Sequence, residues 1–128
     1  MKALFDSNIL IDFLKGFEEA KAEIERYSTR LISRVSWMEV LVGAVRHDAE
    51  ASPPSTEAAT RAFMDGFRCV ELDQAVAERA VVLRQRFKLR LPDAIIWASS
   101  QVEDAVLVTR NTRDFPEAAA DVRVPYRR

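Results

Sequence analysis

Four carboxylates stand far apart along the chain at places where they could do chemistry together: Asp6, Glu39, Asp93 and Asp114. Three or four such groups in one cavity cannot all stay ionised without positive compensation, because their repulsion raises some of the pKa values. A hard divalent cation supplies that compensation, and Mg2+ or Mn2+ prefers oxygen ligands. Such an ion can also activate a water for attack on a phosphodiester. The sequence offers little to other metal chemistry. One histidine (His47) and one cysteine (Cys69) disfavour a nitrogen- or sulfur-based zinc site, and one cysteine rules out an internal disulfide. Only three glycines are present, with no Gly-rich phosphate loop.

Each acid also has an ordinary explanation. Asp6 suits a helix N-cap. Ser36 and Glu39 match the spacing of a capping box. Asp93 follows Pro92 in a first helical turn, where the helix dipole favours negative charge. Asp114 can close a loop. The chemical reading rests on the four acting jointly.

Their neighbours add to it. Ser7 and Asn8 lack a histidine base, so their expected work is capping and hydrogen bonding to metal-held water rather than nucleophilic attack. The segment Thr109-Arg110-Asn111-Thr112-Arg113-Asp114 combines two cations, two hydroxyls, an amide and an acid, a composition suited to a phosphate-facing rim. Residues 84–90 hold four positive charges and no acid, either a solvated helix face or a basic surface for a polyanion. The net charge of −1 does not by itself advertise a nucleic-acid binder.

The elements that must position these residues follow from local pattern. Residues 2–5 form a short apolar strand ending at the capping types Asp6, Ser7 and Asn8, and Ile9, Leu10, Phe13 and Leu14 recur at helical spacing until Gly16. A helix is expected over 18–27, a strand over 31–35, and a helix from Ser36 to about Arg46. Residues 48–55, with Pro53-Pro54, read as a loop, and Ser55 as the cap of a helix reaching Phe67. Further strands are expected at 69–72, 105–108 and near 122–124, with helices over 74–88 and from Leu91. The alternation of short apolar strands with helices indicates a compact, three-layer α/β fold with a short, mostly parallel sheet flanked by helices, in one domain over 1–128. Ligands of such sheets bind beyond the carboxyl ends of the strands, where Asp6, the Ser36–Glu39 segment and the 109–114 loop would lie. At 128 residues, 48% hydrophobic and 30% charged, the chain has the composition of a soluble globular domain. The acid at position 6 argues against a signal peptide, and no apolar run is long enough for a membrane helix, so the cytoplasm is the expected compartment.

Four segments together resemble the PIN-domain family, and within it the VapC-type toxins of toxin–antitoxin pairs. Asp6-Ser7-Asn8-Ile9-Leu10-Ile11-Asp12 is similar to the family's opening motif, and Ser36-Trp37-Met38-Glu39-Val40 to the element after its second strand. Leu91-Pro92-Asp93-Ala94-Ile95-Ile96 and Val108-Thr109-Arg110-Asn111-Thr112-Arg113-Asp114-Phe115 match its later motifs, in the same order. The resemblance covers essentially the whole chain. It implies a PIN-like fold and endonucleolytic cleavage of RNA by water with Mg2+ or Mn2+, Asp6, Glu39 and Asp93 being the principal catalytic and metal-holding acids. Relatives carry a fourth acid where either Asn111 or Asp114 stands. Here Asn111 is neutral and the acidic role falls to Asp114, with Ser7, Asn8, Thr109, Arg110 and Asn111 available for water or phosphate contacts. It also implies a small cognate antitoxin, a homodimer and a toxin–antitoxin hetero-oligomer, with dimer contacts around Trp37, Leu41 and Val45 or the helix bearing Phe63 and Phe67.

Two other classes compete. An aspartyl-phosphate phosphotransfer protein would want a companion aspartate where Asn8 stands. A non-catalytic binding module would use its acids only as caps.

Overall fold

The structure is a computed structural model describing residues 1–51 and 56–128. Five strands, β1 (Lys2–Phe5), β2 (Thr29–Ser33), β3 (Arg68–Val70), β4 (Val106–Val108) and β5 (Val122–Arg123), make one sheet in the order β3-β2-β1-β4-β5. All four pairings are parallel. Six helices accompany them: α1 (Ser7–Leu14), α2 (Glu18–Glu25), α3 (Arg34–Glu50), α4 (Thr56–Met64), α5 (Gln74–Phe87) and α6 (Leu91–Val102).

Because successive strand residues face opposite ways, each central strand feeds two cores. Leu4, Leu31 and Leu107 join one core with Val76, Ala80 and Leu83 of α5 and Ala94, Ile96 and Trp97 of α6. Ala3, Phe5, Ile32 and Val108 join the other with Ile9 and Leu10 of α1, Ile24 of α2, Val40 and Leu41 of α3 and Met64 of α4. The result is helices over both faces of a parallel sheet, as the strand–helix alternation implied.

The sheet's chain path matters more than its size. From the central β1 the chain first builds outward through β2 and β3, then crosses back to lay β4 and β5 on the other side. The gap beyond the carboxyl ends of β1 and β4 is thus the topological switch point, where open α/β sheets bind their ligands.

Several boundaries differ from the sequence expectation. Strand β2 ends at Ser33, whose side chain accepts from the Val35 amide and caps α3. The Ser36–Glu39 capping box is therefore not formed: Ser36 lies inside the helix, and Glu39 is in the second turn. Helix α3 also runs on to Glu50, past the expected end near Arg46. Of the expected 48–55 loop, residues 52–55, including Pro53, Pro54 and the Ser55 cap, lie outside the described residues. Strand β3 starts and ends earlier than expected, at Arg68 and Val70. Of the side chains expected at a dimer contact, Leu41 is buried in the core and Phe63 stacks on Phe13 with ring centroids 4.5 Å apart, so both are spent internally. Val45 remains exposed.

Candidate active site

The pairing of β1 with β4 decides where the first acid goes. Phe5 is in register with Val108, so the next residues, Asp6 and Thr109, leave the sheet side by side. The Asp6 amide donates to the Val108 carbonyl at 2.9 Å, and the Thr109 hydroxyl donates to Asp6 Oδ2 at 2.7 Å. Asp6 Oδ1 accepts from the Ser7 amide at 2.7 Å, so Asp6 is indeed the N-cap of α1. Asn8 Nδ2 also donates to Asp6 Oδ2, at 3.2 Å. Three donors hold this carboxylate, and none of them is charged.

Asp6 is buried, and that burial is the largest influence on its ionisation. It outweighs the Thr109 and Ser7 hydrogen bonds, and with repulsion from Asp93 and Glu39 it pushes the pKa up from 3.8 to about 6. Asp93, buried in the first turn of α6, is also shifted up by burial, with Asp114 and Glu39 contributing, although Arg90 pulls the other way. Asp6, Glu39, Asp93 and Asp114, from four separate elements, thus act on one another electrostatically at one edge of the sheet. Glu39 reaches it from α3, accepting from the Ser7 hydroxyl at 2.6 Å.

The 109–114 loop is tied down residue by residue. The Asn111 amide donates to Thr109 Oγ1 at 2.9 Å, and Asn111 Nδ2 donates to Asp114 Oδ2 at 2.9 Å. The Asp114 amide returns a bond to Asn111 Oδ1 at 3.2 Å. Asn111 therefore orients Asp114, the next acid along the loop.

Two residues expected on a phosphate rim face inward instead. Thr109 is fully buried and serves Asp6. Arg110 turns its guanidinium onto Asp12, Nε at 2.6 Å and Nη2 at 3.0 Å, while its amide donates to Asn8 Oδ1 at 3.2 Å. Asp12 is itself buried and also accepts from the Tyr126 hydroxyl at 2.7 Å. Neither Asp12 nor Tyr126 stood out in the sequence as a site residue; Asp12 lies in the opening motif, six residues after Asp6.

In the basic run over 84–90, Arg84, Arg86, Lys88 and Arg90 are all exposed. Arg84 donates to the Leu89 carbonyl, and Arg86 lies over the Phe87 ring. Arg90 pairs with Asp93 Oδ2 at 3.1 Å and with Asp114 Oδ2 at 3.7 Å. As the side chains stand, no three or more His, Cys, Asp and Glu groups among the described residues are drawn close enough to hold an ion.

Comparison with protein-family models matches residues 3–121 to the PIN domain. The chain belongs to the PIN-domain family. No curated protein sequence matches it. Among solved structures, this PIN-domain chain is similar to one from a toxin–antitoxin complex of Klebsiella pneumoniae, with 44% identity and a TM-score of 0.88 over 98% of each chain. The fold is shared with a chain of DNA-bound VapBC from Salmonella typhimurium, at 22% identity and TM-score 0.78 over 96% of both chains. It is shared too with a chain of FitAcB from Neisseria gonorrhoeae, at 19% identity and TM-score 0.76 over 96% of this chain and 97% of that one. No helix among the described residues is long and apolar enough to cross a membrane.

Proposed function

We propose that this PIN-domain protein is the toxin of a VapC-type toxin–antitoxin pair, an endoribonuclease dependent on Mg2+ or Mn2+. The observation that carries the reading is Asp6: a buried carboxylate at the switch point, held only by neutral donors and repelled by Asp93 and Glu39. An anion so placed is short of a cation. The donor set suits a hard divalent ion, since every acid available is an oxygen ligand and neither His47 nor Cys69 stands among them.

Asp6, Asp93, Asp114 and Glu39 would hold the metal, which when bound supplies Lewis acidity and an activated water for hydrolysis of a phosphodiester. The chain's own residues do the rest. Thr109, Asn8 and the Ser7 amide fix the Asp6 carboxylate so that no reorganisation is needed when substrate arrives. Asn111 orients Asp114, and Ser7 orients Glu39. The ion pair of buried Asp12 with half-buried Arg110 ties the 109–114 loop to α1.

The antitoxin has a natural seat. An apolar groove of about 600 Å³ runs between α1, α3 and α4, with Ile11, Leu14, Val40 and Ala44 in its walls and Glu39 at its rim. An amphipathic segment of the antitoxin laid there would end beside the acids. The 44% identical relative, from a toxin–antitoxin complex, supports such a partner, and homodimers and toxin–antitoxin hetero-oligomers are part of the same proposal.

Cleavage of a single-stranded RNA in Mg2+ or Mn2+ by the purified protein, against its Asp6→Asn variant, tests the reading. Loss of cleavage by orders of magnitude with an unchanged fold is expected. Undiminished metal-dependent cleavage by Asp6→Asn would overturn it.

A further inference from the structure

Among the described residues, Arg90 is the one cation that forms an ion pair with any of the four acids, and it takes one oxygen from each of two. Its side chain is 72% exposed. It stands at the N-cap of α6 without a side-chain capping bond, so its side chain is held by these ion pairs and by its Nε, which donates to Asp93 Oδ2 at 3.1 Å. Beside it lies a recess of about 450 Å³ lined by Asn8, Arg90, Arg110, Arg113 and Asp114, among others. Arg110 is committed to Asp12, which leaves Arg113 and Arg90 as the guanidinium groups open to that space. Arg90 is thus common to the acidic pocket and the basic recess.

We propose that Arg90 is an exchangeable counter-ion: it neutralises Asp93 and Asp114 until a divalent cation takes those oxygens, and then turns into the recess to hold a phosphate of the RNA. The proposal rests on the metal-dependent reading above and adds to it a residue that sets metal affinity and substrate affinity in opposite directions. A guanidinium and a divalent ion compete for the same carboxylate charge, and their repulsion at close range opposes entry of the ion. Arginine suits the second duty, because its planar fork binds phosphate in a bidentate manner.

The experiment is a calorimetric titration of Mn2+ into the wild-type protein and its Arg90→Gln, Arg90→Lys and Asp6→Asn variants, with KM for a single-stranded RNA oligonucleotide measured in parallel. Arg90→Gln should bind Mn2+ about 3- to 10-fold tighter, the size expected for removing one like charge at a partly solvated site. It should also raise KM for the RNA several-fold. Arg90→Lys, which keeps the charge, should stay near wild type in Mn2+ affinity. Because the Arg90 side chain is exposed and caps nothing, the Gln variant should melt as a folded protein. Mn2+ affinity in Arg90→Gln equal to or weaker than wild type would sink the counter-ion role, and an unchanged KM would sink the phosphate contact. If wild type binds Mn2+ and Asp6→Asn does not, such a result overturns the Arg90 proposal alone. No Mn2+ binding by wild type overturns it together with the metal-dependent function.

Discussion

Thr109 donates its hydroxyl to Asp6 across 2.7 Å, although 103 positions separate the two in the chain. The contact is a product of strand register, because Phe5 pairs with Val108 in the parallel β1–β4 ladder. Thr109→Val keeps the side chain's shape but deletes the donor, leaving a buried carboxylate with one oxygen less well held. We expect a stability loss of about 1–2 kcal/mol. Metal-dependent cleavage should fall by about one to two orders of magnitude, since a preorganised group is loosened. Urea denaturation and single-turnover cleavage measure the two effects, and unaltered cleavage would remove Thr109 from the site.

The ionisation of Asp6 should show in the pH dependence of folding. Its pKa lies at about 6 in the folded chain against 3.8 for the free side chain, so the unfolded state releases this proton first. Below about pH 4 the group is protonated in both states and costs nothing. As pH rises through about 6 the folded state must bear a buried charge, and stability falls by up to about 3 kcal/mol. Without divalent ions the protein should therefore be more stable at pH 5 than at pH 7, and Asp6→Asn should flatten that slope. Equal slopes in urea melts across this window would contradict the assignment to Asp6.

Addition of Mn2+ should reverse the penalty. A ligand bound only by the folded state stabilises by about 2.7 kcal/mol at one hundred times its Kd. Thermal melts should rise with Mn2+ in the wild type and stay flat in Asp6→Asn. A chelator should return the wild type to its starting melting temperature.

The Asp12–Arg110–Tyr126 network joins α1, the 109–114 loop and the segment after β5. Burial tends to raise the Asp12 pKa, but hydrogen bonds from Arg110 and Tyr126 outweigh it and hold the carboxyl below its usual range. Asp12→Ala leaves Arg110 and the Tyr126 hydroxyl without their partner and should cost about 3 kcal/mol, near the lower end for a buried pair because Arg110 keeps part of its side chain in water. Tyr126→Phe removes one hydrogen bond and should cost about 1 kcal/mol. Chemical denaturation of the two variants checks both the size and the order.

Gly43 lines the apolar groove, and a Cβ built on it meets no atom within 4 Å. Gly43→Leu should thus fold, fill the groove without adding charge beside Glu39, and weaken antitoxin binding strongly while leaving RNA cleavage intact. Co-purification with the cognate antitoxin, beside a cleavage assay, separates the two activities. An unaffected complex would place the antitoxin elsewhere.

Much of this arrangement was legible in the chain because local pattern and long-range position agreed. Residues 2–5 and 106–108 are short apolar runs each ending in polar turn residues, and both became central parallel strands. The start of α3 was misread for a physical reason. Ser33 and Ser36 both suit an N-cap, and only the pairing of Ser33 with Val70 keeps the first in the sheet up to the cap. The destiny of the arginines was not legible at all. Nothing in the composition of residues 109–114 says that Arg110 bonds a carboxylate 98 positions earlier while Arg113 stays exposed. Arg90 was closer to view, since its partner Asp93 lies three residues on, at helical contact spacing. Its second partner, Asp114, depends on the fold.

The switch-point topology also bears on how such a chain is made. Strand β1 is translated first, yet one of its two neighbours, β4, comes more than a hundred residues later. A nascent chain still on the ribosome with only β1, β2 and β3 outside would carry Asp6 facing open water, without Thr109, Asn111 or Asp114 beside it. The four acids can meet in one pocket only once the chain through Asp114 has been synthesised, more than a hundred residues after Asp6 emerged.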